Sequence, residues 1–583
     1  MISSQARNFL LFLLAVVVFA VLFIRYNPQE ADAIFVNGRI YTMDAENSVV
    51  EAFAVKGDRI SGIGTSSTIE RSFEAKVRVD LEGKTVLPGF IDAHAHFMSL
   101  GISRLTVDLL GCRSESEAAE RVKQRVTKSG AGQWIRGRGW DQNDWPVTRF
   151  PSHASLDNVS PNNPVVLVRV DGHAAWVNKK ALEIAGITRA TPEPQGGRIV
   201  RDTQGNPTGV FVDAAMELVS KHLPELSDQE ATEAIQLALH ECLQYGITTV
   251  HDMGVDAREI ALYKGLIERG EFPFRIYAAI GGLGDLWTES LVRGPLIGFG
   301  QNRLTVRALK LYIDGALGSR GAALIEPYSD EPDNRGLTLS SEEAIRSATV
   351  EALKHGFQVC THAIGDRGNN IVLNMYEAAL HEVPMADHRL RVEHAQVLYP
   401  DDIPKFKRLG IVPSMQPTHC TSDMYWAEAR LGPKRILGAY AWRSLLKTGV
   451  IIPGGSDFPV EHPNPVLGIY AAVTRKDKEG RPLTVEDGLK YFELSKEGMT
   501  DSSAFLNGWH ADQKMTRVEA LKSFTTWAAW AGFEEHLKGS IQKGFLADFI
   551  ILSADIASVS DRSILDIRVL KTYVGGKEVF GGR

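Results

Sequence analysis

Several short apolar runs of this chain end in side chains that can bind a metal ion. The first run ends in Asp92-Ala-His-Ala-His, which places histidines at positions 94 and 96. Residues two apart on a strand point to the same side, so His94 and His96 can reach one ion while the alanines leave room for it. Four later runs end in charged or imidazole side chains, namely Lys310, His362, His394 and Asp457.

A single histidine at a strand end is usually a hydrogen-bonded residue near the surface, but this set combines several imidazoles with one carboxylate. Imidazole and carboxylate ligands suit Zn²⁺, and also nickel or iron. In a barrel of parallel strands, the C-terminal ends of the strands converge on one small region. Their joint occurrence therefore predicts a divalent metal site.

The elements that must position these side chains alternate along the middle of the chain. Short apolar runs are separated by stretches with helical character, such as 228–245 and 341–355. This alternation predicts a parallel sheet, and eight such units with insertions fit an α/β fold of the (β/α)8 TIM-barrel type. The predicted strands are 86–92, 164–170, 248–252, 306–314, 357–362, 390–394, 411–415 and 450–457.

Two further segments lie outside this barrel pattern. Short β-rich runs occur in 32–88 and again in 540–583, and strands from both ends of a chain can pair into one small domain. We expect a composite β-sandwich there, with the barrel in 89–539. An insertion at about 140–215, rich in Pro, Gly, Asn and Asp, is expected to cover the substrate, because long ordered loops are usually functional.

The N-terminus carries an unbroken apolar run from residue 9 to residue 24, between Arg7 and Arg25. It is somewhat short for a comfortable membrane span and long for the core of a signal peptide, and no small-x-small cleavage site follows. We predict that 1–31 is an N-terminal membrane anchor. The alternative is a signal segment that is cleaved to give a secreted or periplasmic protein.

The composition is that of an ordinary globular protein. The 583 residues are 44% apolar and 23% charged, and the net charge of −7 is spread along the chain. Nucleic-acid binding would need a basic face, so we expect no nucleic-acid partner. The four cysteines form neither a disulfide framework nor a CxxC metal site. The oligomeric state is open, with a homo-oligomer among the alternatives.

Taken together, these segments resemble the amidohydrolase superfamily. The metal-binding segments of that superfamily are matched by Gly89-Phe-Ile-Asp-Ala-His-Ala-His, Thr361-His-Ala-Ile-Gly-Asp, Arg391-Val-Glu-His-Ala-Gln and Gly455-Ser-Asp-Phe-Pro-Val. The resemblance is closest to the third amidohydrolase family, in the branch similar to N-substituted formamide deformylase. The features of that branch are Gly137-Arg-Gly-Trp-Asp, Asp171-Gly-His-Ala-Ala-Trp-Val-Asn and Leu309-Lys-Leu-Tyr-Ile-Asp-Gly-Ala-Leu-Gly-Ser-Arg.

The resemblance implies one or two divalent metals, usually zinc, held by the strand-end side chains. The histidine ligands would be His94, His96, His362 and His394. Asp457 would bind metal and act as the general base. Lys310 occupies a position where some relatives carry a carboxylated lysine that bridges two metals. The alternative for Lys310 is an unmodified ammonium group that pairs with a carboxylate or with substrate.

Other side chains are candidates for contact with the substrate. His173 could contact the substrate carbonyl as a second catalytic residue, unless it is only hydrogen-bonded within the insertion. Trp140 and Trp176 could line an apolar pocket, since ligand sites are mostly apolar and aromatic, but packing of the insertion explains them equally well.

Two charged residues follow Lys310 closely along the chain. Asp314 comes four residues later, so on a strand both point to the same side, and Asp314 could orient Lys310 or the substrate. Arg320 could hold a substrate carboxylate, although a surface salt bridge is the commoner arrangement for such a residue.

The function predicted from these residues is hydrolysis of C–N bonds in small non-peptide amides, such as N-acyl or N-formyl amines. A divalent metal lowers the pKa of its water towards about 7 and so supplies a metal-activated hydroxide. The same ligands could serve an ester or lactone hydrolase or a deaminase, because the substrate pocket rather than the metal determines which reaction is catalysed. A non-catalytic, membrane-tethered binding protein is the alternative outside enzymes, and it should have lost these ligands.

Overall fold

The computed structural model describes residue 9, residues 12–14, 28–481 and 507–581. Most of the predicted N-terminal membrane segment, 1–31, lies outside the described residues. Among the described residues there is no helix whose length and hydropathy would let it cross a membrane.

Strands make up three distinct parts of the molecule. In chain order they are β1 (Gln29–Val36), β2 (Arg39–Tyr41), β3 (Val49–Val50), β4 (Ala52–Lys56), β5 (Arg59–Gly64), β6 (Phe73–Asp80), β7 (Thr85–Pro88), β8 (Phe90–Ala95), β9 (Val107–Asp108), β10 (Ile135–Trp140), β11 (Val165–Arg169), β12 (Ala174–Val177), β13 (Gly197–Arg201), β14 (Pro207–Asp213), β15 (Ile247–Val255), β16 (Arg275–Gly281), β17 (Leu296–Gly298), β18 (Leu304–Tyr312), β19 (Gln358–Ala363), β20 (Arg391–His394), β21 (Val412–Ser414), β22 (Phe549–Leu552), β23 (Val569–Val574) and β24 (Lys577–Gly581).

Helices connect many of these strands. In chain order they are α1 (Ser66–Ser72), α2 (Phe97–Leu105), α3 (Glu115–Val126), α4 (His153–Val159), α5 (Lys179–Ile184), α6 (Glu217–Ser220), α7 (Asp228–Gln244), α8 (Ala257–Glu268), α9 (Asp285–Arg293), α10 (Phe299–Asn302), α11 (Glu342–Lys354), α12 (Asp366–Glu382), α13 (Ile403–Leu409), α14 (Pro417–Asp423), α15 (Ala427–Arg435), α16 (Trp442–Lys447), α17 (Pro465–Thr474), α18 (Arg517–Ser523) and α19 (Thr526–Ala531). Helices α7 and α11 match the two helical stretches predicted from the sequence.

Helix α7 of the barrel begins at a clear capping signal. At the start of α7, the Ser227 side chain accepts a hydrogen bond from the Glu230 backbone, and the Glu230 side chain accepts one from the Ser227 backbone. Such a reciprocal cap satisfies backbone N–H groups that the first turn leaves free. The apolar face of α7, which includes Ile235 and Leu239, is then buried in the main core.

The central sheet is a parallel barrel. Strands β8, β15, β16, β18, β19, β20 and β21 are neighbours in that order. The extended segment 453–457 occupies the eighth position. On one side Met415 N–H donates to Pro453 O at 3.0 Å, and on the other Asp457 N–H donates to His94 O at 2.7 Å. These hydrogen bonds close the barrel, which confirms the predicted (β/α)8 fold class.

One of the eight predicted barrel strands was wrong. The run 164–170 forms β11, which lies in a separate sheet, and the barrel position is filled by β16 instead. Strand β16 pairs in parallel with β15 on one side and with β18 on the other. Its sequence ends in glycine without a charged side chain, so it lacks the polar strand end that marked the others.

The insertion is a six-stranded sheet in the order β13-β14-β12-β11-β10-β9. It therefore starts at Val107, earlier than the expected boundary near residue 140, and ends at Asp213. Strand β10 belongs to it because it pairs in parallel with both β9 and β11. A core of its own, including Leu167, Trp140 and Trp176, holds this sheet together.

Strands from both chain ends form the composite β-domain. One sheet has the order β5-β4-β1-β6, and the other has the order β24-β23-β22-β7-β2-β3. In the second sheet, β22 from the C-terminal part pairs antiparallel with β7 from the N-terminal part. The rings of Phe35, Phe53 and Phe549 pack together between the sheets. A buried ion pair, Arg275 Nε to Asp548 Oδ2 at 2.5 Å, joins this domain to the barrel.

Candidate metal centre

Three side chains at the C-terminal ends of barrel strands converge on one point. Ligand atoms of His94, His394 and Asp457 all lie within 4.8 Å of one another, and all three residues are buried. His394 and Asp457 have φ angles of 74° and 59°. A positive φ is uncommon for non-glycine residues, and such backbone is retained where the surroundings hold it. Local backbone geometry thus turns these two side chains towards the centre.

Other predicted ligands surround this group. Asp457 Oδ1 lies 3.2 Å from His96 Nε2 and 3.6 Å from His94 Nε2. The ring of His362 has its centroid 4.6 Å from that of His394. Lys310 Nζ lies 3.3 Å from His94 Nε2. All six side chains predicted from the strand ends therefore lie together at one end of the barrel.

A second layer of polar groups orients the imidazoles. His94 Nδ1 lies 2.6 Å from Glu393 Oε2, and His394 Nδ1 lies 2.8 Å from Gln416 Oε1. These contacts leave the Nε2 atom of each ring directed to the centre. Glu393 is in turn held by Arg391, whose Nε lies 2.6 Å from Glu393 Oε1. Such partners fix the tautomer and orientation of histidines that bind a metal.

The protonation of these groups suits a cation. Burial and the neighbouring Lys310 lower the pKa of His94 to about 4, so its ring is neutral at pH 7. Burial raises the pKa of Asp457, but the nearby imidazoles, His94 first, outweigh this and hold it well below the usual range. Metal binding requires neutral imidazole and an ionised carboxylate.

Some buried polar atoms at the centre have no partner within the part of the chain that the structure describes. The Nε2 atoms of His362 and His419 are buried and make no hydrogen bond there. Buried polar atoms are nearly always satisfied, so orphaned imidazole nitrogens beside an ionised carboxylate need a ligand. With this donor set, the residues present fit a divalent metal ion.

A cavity of about 440 Å³ opens above the centre. Its lining includes His96, His362 and Asp457 from the barrel, which form the floor, and Arg138 and His173 from the insertion, which form a wall. This volume falls within the range of small-molecule sites. The site is thus shared between the barrel, which carries the centre, and the insertion sheet.

His173 is positioned within this wall by a buried carboxylate. Its Nδ1 lies 2.7 Å from Asp213 Oδ1, and its ring centroid is 5.5 Å from that of His362. Burial lowers the pKa of His173, but the hydrogen bond to Asp213 and the charges of Asp213, Asp171 and Asp457 together outweigh this and raise the pKa above its ordinary value. This shift favours the protonated form of the His173 ring at the cavity wall.

The predicted substrate contacts of Trp140 and Trp176 were wrong. Both side chains are fully buried in the core of the insertion and do not line the cavity. Trp140 Nε1 donates to Leu167 O at 2.8 Å, and Trp176 Nε1 donates to Ser152 O at 2.9 Å. Packing of the insertion, rather than substrate, accounts for both rings.

Asp314 and Arg320 also lie outside the cavity lining, contrary to their predicted contact with substrate. The Asp314 carboxylate accepts backbone hydrogen bonds from Ala323, Ile364 and Gly365, so it ties two loops together. Arg320 Nη2 forms a salt bridge with Asp330 Oδ2 at 2.8 Å. Both residues have structural partners that occupy their polar atoms.

His419 is a residue near the centre that the sequence reasoning missed. It lies on α14, and its Nε2 is 3.7 Å from Asp457 Oδ2. The available signal was its place four residues after the predicted strand 411–415. Glu393 was visible inside the motif Arg391-Val-Glu-His, but no role was assigned to it from sequence.

Fold and site together place this chain among the metal-dependent hydrolases. The chain belongs to the amidohydrolase family, whose family model, described as "Amidohydrolase family", matches residues 78–580. The chain is 34% identical to Protein LONG AFTER FAR-RED 3 of Arabidopsis thaliana, over 94% of this chain and 92% of that protein. It is 32% identical to the putative amidohydrolase YtcJ of Bacillus subtilis, over 94% of this chain and 99% of that protein.

Two further relatives bear on the reaction. N-substituted formamide deformylase of Arthrobacter pascens is 29% identical over 94% of this chain and 98% of that enzyme. A crystal structure of an uncharacterized metal-dependent hydrolase from Pyrococcus horikoshii superposes with a TM-score of 0.71 at 28% identity, and covers 91% of this chain and 99% of that one.

Proposed function

We propose that this protein hydrolyses the C–N bond of small non-peptide amides, such as N-formyl or N-acyl amines. The observation that carries the proposal is the buried group of His94, His394 and Asp457 at the floor of a cavity of small-molecule size. Similarity to a formamide deformylase over nearly the whole chain supports the choice of bond.

The proposed metal is Zn²⁺, because imidazole nitrogen and carboxylate oxygen are its usual ligands after thiolate. The proposed ligands are His94, His96, His362, His394 and Asp457. When bound, such an ion lowers the pKa of a water molecule and polarises a substrate carbonyl.

Lys310 is proposed as a carboxylated bridge between two ions. Within the described residues, no carboxylate lies at ion-pair distance from its Nζ. Burial lowers the pKa of Lys310, which favours the neutral amine. A neutral amine is the form that reacts with carbon dioxide, and a carbamate would replace a cation that repels metal by an anion that binds it.

Two side chains act on the reacting groups in the proposed reaction. Asp457 takes a proton from the attacking water as the water oxygen bonds to the substrate carbonyl carbon. The same carboxyl group then gives this proton to the leaving amine nitrogen as the C–N bond breaks. His173 donates a hydrogen bond to the carbonyl oxygen from the insertion side of the cavity.

Metal content and hydrolysis by the full-length protein test the proposal. Elemental analysis of protein purified without chelator should find one or two zinc ions per chain, and a value near two is expected if Lys310 is carboxylated. Formate or acetate release from N-formyl and N-acyl amines should then be lost with chelator and restored by Zn²⁺. Retained zinc with hydrolysis of matched esters but not of amides would overturn the choice of bond.

A further inference from the structure

Arg138 is a cation in the cavity wall that has no carboxylate partner among the described residues. It lies on β10 of the insertion and lines the same cavity as His362 and Asp457. Its Nη2 donates to Val170 O at 2.8 Å, and its buried Nε makes no hydrogen bond with the residues that the structure describes. Residues 28–481 and 507–581 place no carboxylate within 4.0 Å of its guanidinium.

A neighbouring arginine shows the arrangement that Arg138 lacks. Arg169, on the adjacent strand β11, pairs with Asp141 and with Asp171, whose Oδ2 lies 2.5 Å from Arg169 Nη1. Asp171 lines the same cavity as Arg138, but its oxygens serve Arg169 and the His173 backbone. Asp141 and Asp171 are therefore already engaged by Arg169.

The chain also leaves space beside the Arg138 guanidinium. Gly172 packs against it, and a Cβ at that position would lie 3.5 Å from both Nη1 and Nη2. The φ angle of Gly172 is +78°, which side chains rarely adopt. Among the residues that the structure describes, the Arg138 Nε thus keeps a hydrogen-bond donor without an acceptor.

Arg138 is partly buried, and a guanidinium that loses part of its water is compensated by an anion from the protein or from a ligand. Burial lowers the pKa of Arg138, and the negative charges of Asp457 and Asp171 offset this only in part. Arginine presents two parallel donors that match the two oxygens of a carboxylate.

We propose that Arg138 binds a carboxylate group of the substrate, so that the preferred substrates are N-acylated amines that carry an acid, such as N-acyl amino acids. This inference rests on the proposed amide hydrolysis and narrows its substrate class. The acid lies on the insertion side of the cavity, and the scissile amide lies over the His94, His394 and Asp457 group.

A matched substrate panel tests the inference on the full-length, metal-loaded protein. The acids are N-formylglycine, N-formyl-β-alanine and N-formyl-γ-aminobutyrate, each paired with an N-formylalkylamine of equal length. The measured quantity is the ratio of kcat/KM for the acid to kcat/KM for its neutral partner. We expect the wild type to prefer one of the acids, and Arg138→Met to lower that ratio about 10- to 100-fold, the usual range for a hydrogen bond to a charged group. Arg138→Lys should recover part of it.

Arg136→Met is the matched control. Arg136 lies two residues earlier on β10, donates to Pro224 O and does not line the cavity. The substitution Arg136→Met removes the same charge from the same strand. A nonspecific effect of charge would therefore lower the acid-to-neutral ratio of kcat/KM equally in both variants. An acid-to-neutral ratio that is the same in wild type and Arg138→Met, or that falls equally in Arg136→Met, would overturn the inference and leave the amide hydrolysis standing.

Failure of the proposed reaction is distinguishable from failure of the inference. If no amide is hydrolysed, binding of N-formyl-β-alanine to metal-free wild type and Arg138→Met is measured by calorimetry, and a tenfold weaker affinity in the variant supports the carboxylate site. Equal affinities overturn it. If both Arg138 variants unfold, as judged by circular dichroism, the test rests on the wild-type comparison of each acid with its neutral partner. A wild type that prefers none of the acids would overturn the inference.

Discussion

Glu393 is fully buried one residue before His394, and replacing it by glutamine should weaken metal binding although Glu393 is no proposed ligand. Its carboxylate holds His94 Nδ1 at 2.6 Å and pairs with the Nε of Arg391, also at 2.6 Å. In Glu393→Gln, a neutral amide replaces the charged carboxylate that accepts from His94 Nδ1. The orientation of the His94 ring is therefore held less firmly. Within the part of the chain that the structure describes, the same change leaves the Arg391 guanidinium without an anionic partner.

The expected losses of metal affinity and of folding stability follow from these two contacts. Loss of a partner that orients a metal-binding histidine typically costs about 10- to 100-fold in metal affinity, or about 1.4–2.7 kcal/mol. Removing one member of a buried ion pair destabilises the fold by about 3–5 kcal/mol. The remaining partners of Arg391 are neutral groups such as His251 Nδ1 and Ser414 Oγ.

The contribution of Glu393 to the free energy of unfolding should depend on pH in a definite direction. Burial raises the pKa of Glu393, but Arg391 and His94 outweigh this and hold it far below the usual value. A depressed carboxyl pKa stabilises the folded protein above the pKa of the unfolded chain, and this contribution is lost as the pH falls through the folded value. The difference in unfolding free energy between wild type and Glu393→Gln should therefore be constant above about pH 5 and narrow in acid.

Two assays check this prediction. Zn²⁺ affinity is measured by competition with a chromophoric chelator, and stability by urea denaturation of the metal-free protein. Glu377→Gln is the matched control, because it breaks the pair of Glu377 with Arg408 on the outside of the molecule and should leave metal affinity unchanged. A Zn²⁺ affinity of Glu393→Gln within threefold of the wild type would refute the reasoning.

Four other outcomes are expected. Asp457→Asn should keep the far-ultraviolet circular dichroism and lower kcat about 10²- to 10⁴-fold, the usual contribution of a positioned acid–base group; near wild-type turnover would remove Asp457 from that role. Asp213→Asn should lower kcat/KM, and in a double-mutant cycle with His173→Ala the two losses should not add, because Asp213 acts through the ring; additive losses would argue against this. Trp176→Phe should lower the free energy of unfolding by about 1 kcal/mol through a lost hydrogen bond but leave KM unchanged, since the ring is outside the cavity. Asp548→Asn should destabilise the protein by about 3–5 kcal/mol in denaturation at pH 7, and the difference should shrink as the pH falls below about 4, because the pKa of Asp548 is depressed.

Local sequence was sufficient to predict most of the barrel and its metal centre. His94 and His96 share a face because they are two apart on a strand, and this follows from chain geometry alone. The other strand ends converge because parallel strands of a barrel present the same end. These predictions need only the order of the strands.

Features that depend on contacts between distant segments were not predictable in this way. The run 164–170 has the same apolar composition as a barrel strand, and only its pairing with β10 and β12 assigns it to the insertion. Trp176 could have faced a pocket or a core, and the position of the insertion core decides between them. His419 comes near Asp457 through the fold of α14, which no strand periodicity marks.

The pairing of β7 with β22 has a consequence for synthesis of the protein. Strand β7 leaves the ribosome several hundred residues before its partner, and at roughly 5–20 residues per second this interval is on the order of a minute. Until then β7 has an unpaired edge of four residues, all of which are buried in the finished protein. An exposed strand edge of this kind is a site of misassociation between chains. Nascent chains that stop before Phe549 should therefore be the ones that chaperones retain or proteases remove.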